Sequence, residues 1–153
     1  MIDVEIEDEA WSRDLRDIEA LVTAAATAAL AAAQREGAVV VLLTDDAGVQ
    51  DLNLRFRGKD GPTNVLSFPA PETPGDHLGD IALAHGVCVR EAAEQGKTLA
   101  HHLQHLVAHG VLHLVGYDHE NDADAEDMEG LERVVMAGLG APDPYGAEQG
   151  DDG

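Results

Sequence analysis

The chain has 153 residues, 30 Asp and Glu against 9 Lys and Arg for a net charge of −21, and a single cysteine, Cys88. One cysteine excludes an intramolecular disulfide, and the lack of any apolar run of about 18 residues argues against a membrane-spanning helix. The excess of acid runs against a phosphate-backbone binder, which ordinarily carries a basic face.

In chain order, Ile2, Val4 and Ile6 alternate with acids, as a half-buried strand does. Ser12 or Asp14 is placed to cap one long Ala-rich helix reaching about Arg35, with Gly37 just past its end. Ala38 to Leu43 is an unbroken aliphatic run, expected as a central strand. Asp45 or Asp46 can cap a short helix through about Leu54. Gly58 to Pro62 reads as loop, Val65 to Phe68 as a short strand stopped by Pro69, and Ala70 to Asp76 as a surface excursion. Leu78 to Leu83 is a further strand, and His85 to Gln95 a helix ended by Gly96. Cys88 is expected inside that helix as a small buried apolar residue.

Thr98 caps a helix that runs to about Val115, and an amphipathic helix spans Asn121 to about Gly138 with Leu131, Val134 and Val135 inward. This pattern predicts an α+β domain over residues 1–139, with a small mixed four-stranded sheet packed with about five helices. Residues 140–153, rich in Gly, Pro and acid, read as a disordered acidic tail. Met1-Ile2-Asp3-Val4-Glu5 has neither the basic region nor the apolar core of a secretion signal, so the expected compartment is the cytoplasm.

The most informative stretch is His109-Gly-Val-Leu-His113-Leu-Val-Gly-Tyr-Asp-His119. His109 and His113, four apart, stand on one helical face, and Gly116 can end the helix so that His119 turns back to the same ion. Three imidazoles leave a fourth position open, which distinguishes a catalytic zinc site from a closed structural one. The spacing overlaps H-E-x-x-H-x-x-G-x-x-H of metzincin proteases except at one place. Gly110 stands where those enzymes carry the Glu that activates water, which argues against a metzincin-type protease.

Further blocks join the histidines: Leu52-Asn53, Arg57-Gly58-Lys59-Asp60, Pro62-Thr63-Asn64-Val65-Leu66-Ser67-Phe68-Pro69 and Leu78-Gly79-Asp80-Ile81. Together they resemble the YbeY family of bacterial endoribonucleases, with Asn64 standing where many relatives carry Asp. The resemblance implies a four-stranded sheet with a metal-binding cleft beside the helix of the first two histidines. It implies a metal-dependent, single-strand-specific endoribonuclease acting in late 16S rRNA 3′-end maturation and ribosome quality control. The small ribosomal subunit and its assembly factors would be partners, and membranes and DNA would not.

One zinc ion per chain is expected on His109, His113 and His119. Arg57 and His113 are the catalytic candidates, Arg57 because it lies in a locally basic segment (Arg55, Arg57, Lys59) and on the family's matching arginine. A guanidinium there can take up charge growing on a phosphate bidentately. The attack is open between a metal hydroxide and the RNA 2′-hydroxyl. Two other classes remain: a hydrolase of another bond, and an assembly factor with structural zinc.

Asp80 could orient a ligand histidine or cap a neighbouring turn, and Asp118 and Glu120 could move protons. His105 lies one turn before His109, and His77, His85, His101 and His102 are expected in solvent.

Overall fold

A computed structural model describes residues 2–58, 63–70, 76–117, 122–141 and 143–144. Its centre is β2 (Ala38–Thr44), where Val39, Val41 and Leu43 are fully buried while Val40 and Leu42 are half-buried on the other face. Beside it lie β1 (Ile2–Ile6) and β4 (His77–Ala84), both parallel to β2, and β3 (Val65–Pro69) pairs antiparallel with β4. The order β1-β2-β4-β3 makes a mixed four-stranded sheet with β3 at one edge.

The Ala-rich segment is not one helix. It divides into α1 (Ala10–Asp14) and α2 (Ile18–Ala32), so the described residues hold six helices rather than about five. The break has a tertiary cause: Trp11, fully buried, donates from Nε1 to the carbonyl of Thr44 at 3.0 Å. That bond holds the first turn at the end of β2 and the chain re-enters helix only at Ile18. Asp14 therefore caps nothing and instead accepts from His85 Nε2 at 2.7 Å, a bond that lowers the Asp14 pKa. In α2 the fully buried Ala25, Ala26 and Ala29 present a small-residue face that lets α5 (Leu99–Leu114) lie close.

The caps follow their chemistry. Asp45 accepts from Gly48 N at 2.7 Å at the start of α3 (Asp46–Arg57), which runs three residues past Leu54 to Gly58 in the left-handed conformation. Asp46 serves a different helix, accepting from Val87 N in α4 (His85–Gln95) at 2.9 Å. Thr98 caps α5 through His101 N at 3.1 Å. The larger core lies between one sheet face and α2, α5 and α6 (Asp122–Gly138), and a smaller one around Val49, Leu66, Ala82 and Ala84 lies under α3. Fully buried side chains such as Leu103 and Leu112 each contribute about 1.5–3 kcal/mol. Cys88 is buried as expected, and burial raises its thiol pKa far above the usual range.

Val134 departs from expectation: it is 62% exposed, while Met128, Glu132, Val135 and Met136 form the buried stripe of α6. Of the segment read as a tail, Ala141 N bonds Met136 O, Asp143 pairs with Arg133, and Pro144 O accepts from Lys97. Residues 142 and 145–153 lie outside the described residues. Among the described residues no helix is long and apolar enough to cross a membrane.

Candidate functional site

The site is built where α5 crosses the edge of the sheet. Gly110 makes the crossing possible, because a Cβ there would stand 3.0 Å from two Ile81 side-chain atoms. The close approach lets Ser67 Oγ donate to the Gly110 carbonyl at 3.3 Å, tying α5 to β3. It also explains why no glutamate could serve at this position, since the side chain would point into the sheet rather than toward the imidazoles.

His109 and His113 then face outward beside β3. Val65, Ser67 and Pro69 alternate onto the same side, and Arg57 at the end of α3 completes a cleft of about 390 Å³ with Asn64. The Nε2 atoms of His109 and His113 stand 3.1 Å apart. Two nitrogens held about 2.0–2.1 Å from one tetrahedral zinc would be separated by about 3.3 Å, so the pair is spaced as two ligands of one ion. The third expected ligand, His119, lies outside the described residues, as do Asp118, Glu120 and Lys59. Among the described residues no group of three His, Cys, Asp or Glu is arranged to hold a metal ion.

A further functional side chain lies behind the pair. Glu132 of α6 is buried to 1% side-chain exposure, and its Oε1 accepts from His109 Nδ1 at 3.2 Å and from His105 Nε2 at 2.6 Å. Burial alone would raise this carboxyl, but the hydrogen bonds from the two histidines hold it down at about 2. An ionised Glu132 keeps the proton of His109 on Nδ1, which leaves the Nε2 lone pair directed into the cleft. This is the arrangement by which carboxylates orient ligand histidines in metal sites. The Glu132 signal was present in the sequence, since Met128, Glu132 and Met136 recur at i, i+4, i+8 on the apolar stripe. A lone acid at that spacing needs a buried partner.

On the other flank of α5, Glu91 Oε1 accepts from His102 Nε2 at 2.9 Å and from Asn64 Nδ2 at 3.0 Å. Asn64 is thus fixed at the lip of the cleft by an amide that donates to a carboxylate. An Asp in its place would set two carboxylates against each other. His102 is buried rather than solvated, and burial is the main cause that lowers its pKa, against the opposing pull of Glu91. His85 also departs from the solvent expectation, packing edge-on against Trp11 with ring centroids 5.1 Å apart. Asp80 does not meet the His109–His113 pair; it bonds His77 Nε2 at 3.0 Å, three residues back along the same strand.

The chain is similar to known proteins over most of its length. The profile of the family described as endoribonuclease YbeY matches residues 3–140. An endoribonuclease YbeY of Rhodopseudomonas palustris is 52% identical over 90% of this chain and 87% of its own length. Its counterpart in Maricaulis maris is 51% identical over 94% of this chain and 91% of its own. A Thermotoga maritima protein solved in solution superposes with a TM-score of 0.57 at 27% identity, covering 94% of this chain and 98% of that one.

Proposed function

Because the chain belongs to the endoribonuclease YbeY family, we propose that it cuts single-stranded RNA with one zinc ion held by His109, His113 and His119. We further propose that it does so in the cytoplasm, in late 16S rRNA 3′-end maturation and ribosome quality control, beside the small ribosomal subunit and its assembly factors. The observation that carries the catalytic reading is the meeting of two imidazole Nε2 atoms and a guanidinium in one open cleft.

A bound zinc ion would supply Lewis-acid charge to a phosphoryl oxygen and lower the pKa of water toward about 7. The chain's own residues do the rest. Glu132 fixes the tautomer and aim of His109 from inside the protein. Arg57 stands at the exposed lip, where its forked donors can meet two oxygens of a phosphate as negative charge grows during cleavage of the P–O bond. Ser67 ties β3 directly to α5, and Asn64 ties the lip to Glu91 of α4, which in turn bonds His102 of α5.

The test is cleavage of an unstructured RNA by protein purified free of host nucleases, with a His113→Ala variant prepared identically. Loss of cutting in the variant supports the reading, and equal cutting by both assigns the activity to a contaminant.

A further inference from the structure

On the opposite face of β3 from the imidazoles lies a second hollow of about 290 Å³, walled by Leu42, Leu52, Phe56 and Phe68, with Glu5 and Asp80 at its margin. Phe56 is 63% exposed, an unusual state for a large aromatic, and its ring is held rather than loose. Phe68 meets it edge-on at 5.6 Å, and the Arg55 guanidinium lies 5.5 Å from its centroid while bonding Asp51 at 3.1 Å. The next residue is Arg57, whose side chain lines the catalytic cleft.

A phosphate gripped by Arg57 therefore has an anchored aromatic ring one residue away, around the edge of the sheet. Phe56 and Arg57 are neighbours on α3, so their side chains leave the helix about 100° apart, one into each hollow. The carboxylates of Glu5 and Asp80 repel a phosphate from the hollow but accept hydrogen bonds from exocyclic amines of a base. Apolar walls, an aromatic face and marginal acids thus admit the base while keeping the backbone at the arginine.

We propose that Phe56 is the platform on which a nucleobase next to the scissile phosphate stacks, so that the strand bends over the β3 edge between Phe56 and the His109–His113 pair. The inference rests on the RNA-cleaving reading above and adds its substrate contact. It also gives a physical reason for choosing single strands, since a base held in a duplex cannot swing out onto the ring.

The experiment measures equilibrium binding of a short 2′-O-methylated RNA, which needs no cleavage, so a protein that fails to cut can still be scored for stacking. Phe56→Ala and Phe56→Leu should weaken binding by about five- to a hundredfold, the range for one lost base–aromatic stack, and Phe56→Trp should restore it. A series of RNAs with one abasic position should contain one position that costs the parent that same factor and costs Phe56→Ala nothing further. With cleavable RNA, Phe56→Ala should raise KM and leave kcat near the parent value. Affinity of Phe56→Ala within twofold of the parent, recovery by Leu as full as by Trp, or a parent with no affinity for the strand would each overturn the proposal.

Discussion

Glu132→Gln is the most incisive perturbation of the site, because it changes one buried atom's charge without touching the cleft. In the parent, Oε1 accepts from two imidazoles at 2.6 and 3.2 Å. Charge-assisted bonds of this kind contribute about 1.5–3 kcal/mol each against about 0.5–1.5 for neutral ones, so the amide should cost about 2–3 kcal/mol of stability over the pair. It should also free the tautomer of His109, and removing a carboxylate that orients a ligand histidine typically costs about 10–100-fold in metal affinity. Glu132→Ala goes further, leaving two imidazoles without their acceptor, for about 3–5 kcal/mol. Zinc affinity would be measured by competition with a chromophoric chelator and stability by urea titration. A Gln variant that binds zinc within about twofold of the parent and unfolds at the same urea concentration would show that Glu132 is an ordinary buried acid with no hold on the site.

Other outcomes follow from the same geometry. Arg57→Ala should lower turnover by about two to three orders of magnitude with zinc content unchanged, and Arg57→Lys should recover only part; turnover within twofold of the parent would assign Arg57 to the surface. Gly79→Ala should destabilise by about 2–4 kcal/mol in urea, because at φ 151° the new Cβ would lie 2.5 Å from the Phe68 carbonyl and 2.6 Å from Leu114 Cδ2. A backbone oxygen in a paired strand cannot step aside, so an unchanged midpoint would contradict the packing described. His102 has its pKa lowered in the fold, mainly by burial. Its contribution to stability is therefore present above the unfolded value of about 6.5 and is lost as pH falls below it, with a slope of at most about 1.4 kcal/mol per pH unit. The urea midpoint should fall between about pH 7 and 5 more steeply in the parent than in His102→Gln; parallel curves would contradict it.

What the sequence made legible was local. Thr98, Asp45 and Gly96 each mark a helix end by chemistry confined to one turn, and each does so in the structure. The strands were readable from alternation and aliphatic runs. The break at residues 15–17 was not, because its cause is the bond from Trp11 to a carbonyl 33 residues away, which no propensity of the Ala-rich segment reveals. Strand order was likewise unreadable, since β3 enters the sheet beyond β4 rather than beside β2.

At the site, the i, i+4 spacing placed His109 and His113 on one face, and the basic segment singled out Arg57. Glu91 and Glu132 were missed for a common reason. Each is an acid on a helix that carries other acids, and the histidine of α5 that it meets is distant in sequence, although the Met128–Glu132–Met136 spacing already sets Glu132 on the buried stripe. His102 and His105 show no partner in the local sequence, because Glu91 and Glu132 stand 11 and 27 residues away. Val134 was placed inside by apolar character alone, while the stripe that packs runs through Met128, Glu132, Val135 and Met136.

Glu132 also has a meaning in time. It follows His109 by 23 residues, about 1–5 s of synthesis at ordinary elongation rates. Until α6 has been made and has docked, the two imidazoles of the pair exist without the buried acceptor that aims one of them. A nascent chain halted in that interval would carry the cleft's visible residues but lack their anchor. The aim of His109 into the cleft thus waits on the docking of α6, after most of the scaffold has been made.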